Sequence, residues 1–496
     1  MLYEIIRLST QHRALHCYVL LSLWIFLLVA GLYKFLEPTQ KPKPFDLPRI
    51  ESMQSYKTGL KTKRIFKSCN RLEDLLPHSE GTSDNQHWSL RGVIVVIRHG
   101  DRGPLQHIRN ISSVNCGARP NVLLNTYQNY IHNISLSGRV TWMQMGAFHG
   151  FPFLPSTPIQ CTLGQLTMQG VSQLLHTAQI LHQAYGSGLK LSNLTNADVV
   201  VYCTRYRRTF QSVLALLFPL LPLELFSRVV IRESPSMSFC FSDCACSSAE
   251  HFMRLLNKQV TEQLQLHPAV VRLVRQAANL VFEQPDEALV SNPLALRDAL
   301  LTYICHDAML PCASALQCLR ADHVSALFAY TEWDNHQRWK SRHWRNVCLL
   351  KAYGLFKNIV SYMLKMASEP SPKLVIYSGH DYTLQYLSVA LGISNEHAGL
   401  QFASRLVIEV YQNEGLSHRG PKGFYFKLLV NGKDVTKEIS FCRNAEIVYR
   451  EGKKSIFCRM EDIVRFIHDD YFSDLNVTNF KDACLVHKEK NEERFV

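Results

Sequence analysis

Two arginines bracket a histidine in Arg98-His99-Gly100-Asp101-Arg102-Gly103-Pro104, and those residue types at that spacing suit the handling of a phosphoryl group. A guanidinium keeps its charge at any physiological pH and presents a planar fork of donors that matches two phosphate oxygens, so Arg98 and Arg102 can hold and orient one. Between them, the neutral imidazole of His99 can attack phosphorus and give a phosphohistidine that water later splits. The arginines offset the repulsion between nucleophile and anion. Far downstream, Ser378-Gly379-His380-Asp381 supplies what the first cluster lacks. A departing alkoxide needs a proton, and Asp381 can donate it if burial and nearby phosphate favour its acid form. His380 fits as a further phosphate ligand, its imidazolium favoured by the anion. Thr204-Arg205-Tyr206-Arg207-Arg208-Thr209 offers a third arginine without saying which one.

A solvated turn with ordinary ion pairs is the competing reading of the first cluster, and the elements that carry the clusters argue against it. The runs 93–97, 198–203 and 373–377 are short, apolar and rich in β-branched residues, the pattern of strands covered on both faces. Each ends directly in one of the clusters, and ligands of open α/β sheets gather just beyond the carboxyl ends of such strands. Helical patterns separate the runs; residues 164–185 repeat apolar side chains at helical spacing and should cover the sheet. Residues 249–366, rich in Leu, Ala, Arg and Gln, read as a mainly helical insertion, clearest at 254–280 and 346–365, forming a lid or side wall where substrate choice would lie. Segments 405–411 and 424–430 alternate as paired strands near a turn at Asn431-Gly432, where the sheet should end, and 461–471 adds a short helix. The expected fold is α/β, with a mainly parallel central sheet flanked by helices and an inserted helical cap. Trp333, Trp339 and Trp344 could stack on sugar rings, but packing between helices is the simpler reading.

Residues 14–33 contain no Asp, Glu, Lys or Arg, and twenty helical residues at ~1.5 Å each cross a ~30 Å hydrocarbon core. The segment reads as an uncleaved anchor rather than a signal peptide, whose apolar core is usually shorter. Charge leaves the orientation open, because Arg7 and Arg13 before the segment are balanced by Lys34, Lys41 and Lys43 after it. Four N-x-Ser/Thr sequons, at Asn110, Asn133, Asn193 and Asn476, and the 15 cysteines both suit an oxidising lumen. The expected order is a cytosolic tail (1–13), an anchor (14–33), a proline-rich stem (34–65), a luminal body (66–484) and a polar tail (485–496). The cysteines at 240, 244 and 246 could bind zinc, but their spacing lacks the two-plus-two zinc pattern and the lumen favours disulfides. His306-Asp307, among cysteines, reads as part of a bridged loop near the pocket rather than as the acid pair itself. The net charge of +13 favours anionic partners. No nucleic-acid motif accompanies that charge, so a sulfated or carboxylated glycan is the sharper candidate.

The two-part signature of the first and last clusters resembles that of the histidine acid phosphatases, a branch of the histidine phosphatase superfamily, and the resemblance runs from about Arg91 to Cys484. It implies that His99 is phosphorylated, that Asp381 is the proton donor, and that Arg98, Arg102 and His380 bind phosphate with no metal or cofactor. The family's third arginine precedes a threonine, which matches Arg208-Thr209 among the three candidates. The membrane segment, the cysteines around residues 240 and 312, and the stretch 431–436 are similar to a Golgi member of the family. That likeness implies a xylose 2-phosphate of the proteoglycan linkage glycan as substrate and glycosaminoglycan-building enzymes as partners. A broad acid phosphatase, or a membrane-anchored glycan-binding protein without turnover, are the alternatives.

Overall fold

In the computed structural model of the chain, the described residues are 21–25, 65–77, 79–81, 87–136, 146–156, 159–234, 236–241, 244–314, 317–394, 401–415, 423–442, 445–450 and 453–485. The chain divides into two units, Met1–Ser55 and Tyr56–Val496. Of the first unit only 21–25 are described, as helix with exposed side chains. The rest of the expected anchor, the tail before it and most of the stem lie outside the described residues.

In the second unit a small separate sheet pairs Cys312–Ser314 with Gln317–Cys318, and the strands of the main sheet are β1 (Trp88–Arg98), β2 (Val199–Thr204), β3 (Ile231–Ser234), β4 (Leu374–Gly379), β5 (Arg405–Asn413), β6 (Phe424–Val430), β7 (Lys433–Asp434), β8 (Glu446–Arg450) and β9 (Lys453–Arg459). The helices that matter for the site are α1 (Met168–Tyr185), α2 (Arg207–Leu220), α3 (Ser247–Gln265), α4 (Pro268–Val281), α5 (Pro293–Cys305), α6 (Ala321–Lys340), α7 (Arg342–Ser368) and α8 (Asp381–Ala390). All nine strands join one sheet, in the order β8-β9-β6-β5-β1-β4-β2-β3 with β7 beside β6. The pairs β1–β4, β4–β2 and β2–β3 are parallel. From β1 outward, β5, β6, β7, β8 and β9 pair antiparallel. The expectation of a parallel sheet therefore holds for the part that carries the chemistry and fails beyond it. Short turns can only reverse a chain, whereas parallel neighbours need long crossovers. Asn431 and Gly432, both at positive φ, make such a turn, from β6 into β7. The sheet does not end there: the hairpin β8–β9 extends it through β9 against β6.

Alternation along β1 explains the two helical layers. Val93, Val95 and Ile97 enter one apolar cluster with residues of α1 and α2, and Ile94 and Val96 enter another with residues of α7 and α8. At ~25 cal/mol per Å² of apolar surface removed from water, this double covering is the main force holding the strand in place. It also corrects the reading of 249–366 as a single cap. Helix α7 packs Phe356, Ile359 and Met363, all fully buried, into the cluster of the sheet. It is long and apolar enough to cross a membrane, but here it is a core helix. A separate apolar cluster joins α4, α5 and α6 and includes Cys69, Phe282, Leu300, Tyr303 and Phe328. The helix expected at 254–280 is two helices, since Pro268 at the first turn of α4 ends any helix running into it.

Sulfur pairing matches the expected disulfides. The bridges are Cys69–Cys305, Cys116–Cys161, Cys240–Cys244, Cys246–Cys484, Cys312–Cys318 and Cys442–Cys458, with Cys203 and Cys348 free and buried. The zinc alternative at 240, 244 and 246 falls with these pairings. All four sequon asparagines are exposed. Trp344 is buried near Tyr386, while Trp333 lies against His267 and Tyr330 at the edge of the cap.

Candidate active site

Parallel pairing in register is what gathers the clusters. Arg98 at the end of β1 pairs with Gly379 at the end of β4, and Ser378 pairs with Cys203 on β2, so all three strands finish on one edge. The backbone then turns sharply: His99 N–H donates to the Gly379 carbonyl at 3.1 Å. Gly100 N–H donates to Ser212 Oγ of α2 at 3.1 Å, and Asp101 N–H to Gln173 Oε1 of α1 at 2.8 Å. Gly100 has to be glycine, because a β-carbon there would run into the Gly170 carbonyl of α1. The loop is thus fixed to both helices of one layer.

The His99 ring is buried, and its Nδ1 lies 2.8 Å from the Gly100 carbonyl. A carbonyl only accepts, so Nδ1 carries the proton and Nε2 keeps its lone pair. Burial first, then the charges of Arg98, Arg208 and Arg102, hold the imidazole far below its ordinary pKa, so it stays neutral. That is the form a nucleophile requires. Arg98 and Arg102 flank it, both buried and both over the ring of Phe402, at 4.4 and 5.9 Å. Of the three arginine candidates before Thr209, the structure turns Arg208 inward, with its Nη2 3.5 Å from His380 Nδ1 and its guanidinium 4.5 Å from the Tyr206 ring. Arg205 and Arg207 are exposed. The Nε–H groups of Arg102 and Arg208 are buried without a hydrogen-bond partner among the described residues. Buried donors of this kind mark a place for an anion.

His380 differs from expectation. Its ring is 5.6 Å from that of His99, and its Nε2 is 3.0 Å from Thr204 Oγ1. An arginine can only donate, so Nδ1 accepts from Arg208 and Nε2 carries the proton. Burial and then the Arg208 charge push its pKa well down, so the ring is neutral rather than an imidazolium. Asp381 is the first residue of α8, with Oδ2 3.4 Å from Arg98 Nη2 and Oδ1 accepting from Tyr382 N–H at 2.8 Å. Burial would raise its pKa, but Arg98 and Arg102 outweigh burial and hold the carboxyl below its ordinary value. The anticipated acid form is therefore not favoured by burial alone; something must first offset the arginines.

Two contacts escaped the sequence reading. Asp298 of α5 grips Arg102, with Oδ1 2.7 Å from Nη2 and Oδ2 3.2 Å from Nη1. Nothing in the local sequence marks this residue. His306, read as part of a bridged loop, points its Nε2 at Asp101 Oδ2, 2.8 Å away, and Asp101 Oδ2 also accepts from Thr167 Oγ1 at 2.6 Å. Asp307 pairs instead with Arg71. Cys116 and Cys161 come near His306, but these sulfurs form a disulfide and leave no thiolates to hold a metal.

A doubly covered sheet with a neutral histidine, arginines and an aspartate at the carboxyl ends of its parallel strands defines a phosphomonoester hydrolase of the histidine type. The family model for the Histidine phosphatase superfamily (branch 2) matches residues 89–431, and the chain belongs to that family. A Xenopus tropicalis protein, 2-phosphoxylose phosphatase 1, is 30% identical over 410 residues, covering 80% of this chain and 77% of its own. The Mus musculus protein of that name is 30% identical over 434 residues, covering 84% of this chain and 85% of its own. Among solved structures, a Hafnia alvei phytase in complex with tartrate superposes with a TM-score of 0.50 at 13% identity, over 81% of this chain and 100% of its own; this likeness concerns the fold.

Proposed function

We propose that this phosphatase removes the 2-O-phosphate from xylose in the glycan that links glycosaminoglycans to protein, working in the Golgi lumen from a single membrane anchor. The substrate reading rests on the likeness to 2-phosphoxylose phosphatases over most of both chains. The chemistry rests on one observation: His99 has an unprotonated Nε2 beside Arg98, Arg102 and Arg208, with Asp381 at the same edge. In the first step Nε2 attacks phosphorus, the bond to the sugar oxygen breaks, and the Asp381 proton goes to that oxygen. The phosphoryl dianion neutralises Arg98 and Arg102, which removes their hold on the carboxylate and lets Asp381 take up the proton it then donates. Substrate binding itself thus makes the acid. In the second step the Asp381 carboxylate accepts a proton from water as water attacks the phosphohistidine. His380, which donates to Thr204 through Nε2–H, accepts from Arg208 through Nδ1 and so orients that guanidinium toward the phosphoryl oxygens.

His99→Ala should abolish the acid-labile phosphoenzyme seen on rapid quench with labelled substrate, along with turnover. Asp381→Asn should slow xylose 2-phosphate at least about a hundredfold more than an aryl phosphate, whose leaving group departs without a proton. Equal losses on both substrates would remove Asp381 from the acid role. Rapid turnover of simple phosphate esters, with none of a phosphorylated linkage tetrasaccharide, would make the protein a general acid phosphatase.

A further inference from the structure

The grip of Asp298 on Arg102 has consequences for which phosphates the site accepts. Arg102 is buried; the Asp298 carboxylate accepts one N–H from each of its terminal nitrogens and the Gly103 carbonyl accepts a second from Nη1, which leaves the edge formed by Nε–H and the second Nη2–H open to an anion. The end-on fork of the guanidinium is therefore already filled by a carboxylate of the cap, and its charge is largely offset there. Asp298 is on α5, and its side chain keeps 22% of its exposure, so its carboxylate is open to solvent beside Arg102. Its neighbour Arg297 is held elsewhere, its nitrogens donating to Thr331 and Ser68 and its plane covering Phe328. Arg98 in turn is paired with Asp381. Each of the two motif arginines thus meets a carboxylate, and the local field is much less positive than the net charge of +13 implies.

We propose that Asp298 is a specificity-determining residue that confines the enzyme to singly phosphorylated, otherwise uncharged sugars and rejects clustered phosphates. This rests on the reading of Arg102 as a phosphate ligand. One phosphoryl group seated between Arg98, Arg208 and the Nε–Nη2 edge of Arg102 is balanced by the remaining positive charge. A second phosphate on the same ring lies within several ångströms of Asp298 and meets its carboxylate, while Arg102, the cation paired with it, is already engaged with the first phosphate. A sugar hydroxyl at the same place can instead donate to the carboxylate. The fixed charge discriminates by repulsion, which costs the correct substrate little.

The test compares kcat/KM of the full chain for xylose 2-phosphate and for myo-inositol hexakisphosphate, in wild type, Asp298→Asn and Asp298→Glu. Asn keeps an acceptor for Arg102 without the charge, and Glu keeps the charge. Asp298→Asn should move the ratio of the two kcat/KM values at least ~tenfold toward the hexakisphosphate, as expected for one charge acting over several ångströms. That shift should shrink as salt rises, and Asp298→Glu should retain the wild-type preference. A ratio unchanged in Asp298→Asn overturns the proposal and leaves Asp298 as a brace for Arg102; so does a shift of equal size in both variants. Phosphoenzyme trapping on His99 with an aryl phosphate separates this from the function itself. Trapping together with an unmoved ratio sinks only the role of Asp298, whereas failure to trap in wild type sinks the reading on which it rests.

Discussion

At the scale of single residues, the site works by keeping apart groups that would otherwise cancel one another. His99 has to be neutral, and the surrounding cations and burial ensure it at any pH where the enzyme would act. Asp381 has to be protonated only when phosphate is present, and the arginines ensure the opposite beforehand. Asp101, between His99 and Arg102, takes no part in the chemistry proposed here; it is tied to His306 of the cap and to Thr167. Burial would lower the His306 pKa, but the Asp101 carboxylate outweighs it and raises the value. A raised folded-state pKa means that the pair stabilises the fold fully below the ordinary histidine value and that this contribution is lost as pH rises through the folded one. Removing one partner of such a buried pair costs ~3 kcal/mol. The gap in unfolding free energy between wild type and His306→Gln should therefore be widest at acidic pH and narrow toward alkaline pH, as read by denaturant titration. A gap of the same size across the range would mean that the pair carries no proton-linked stability.

At the scale of elements, the loop after β1 is positioned by helices rather than by its own sequence. Helix α1 contributes Gln173, whose Oε1 accepts from Asp101 N–H while its Nε2 donates to the carbonyls of Cys69 and Asn70. Helix α2 contributes Ser212 and the inward turn of Arg208. The cap is joined to the same place through Cys69–Cys305, one residue before His306. Gly100→Ala tests this arrangement at its tightest point. The added methyl forces α1 away from the loop, which should cost about 2 kcal/mol of stability, as overpacking does. It should lower kcat/KM at least about a hundredfold by displacing His99 from its in-line position. Thermal unfolding and steady-state kinetics read the two effects separately, and a stable, fully active variant would show that α1 yields without disturbing the nucleophile.

At the scale of the whole molecule, the described body carries the family's fold and site, and the proposed anchor belongs to the other unit. A chain lacking residues 1–55 and made in the secretory pathway should stay in the supernatant after alkaline carbonate extraction while the full chain sediments. Its kcat/KM should stay within about twofold of the full chain's if the body is an independent folding unit. A full chain that is itself extracted would remove the anchor from the proposal. Enzymatic removal of N-glycans should increase its mobility on gels, since the sequon asparagines are exposed.

Much of this was legible without coordinates, for physical reasons particular to the residues involved. A β-branched run such as 93–97 has few stable fates other than a covered strand, and a histidine between arginines has few uses other than phosphate. Hence five of the strands, a helix within 164–185 and the placement of 98–102 and 380–381 at strand ends could be read locally, whereas β3, β8 and β9 could not. Local sequence did not separate Arg208 from Arg205 and Arg207; only the turn into α2 decides which one faces inward. Pairing direction beyond β1 and the place of α7 against the sheet depend on contacts between segments distant in the chain. The protonation states of His99, His380 and Asp381 and the grip of Asp298 on Arg102 belong to the same class. Charge and burial at a point are sums over everything that folds around it, and that sum exists only in three dimensions.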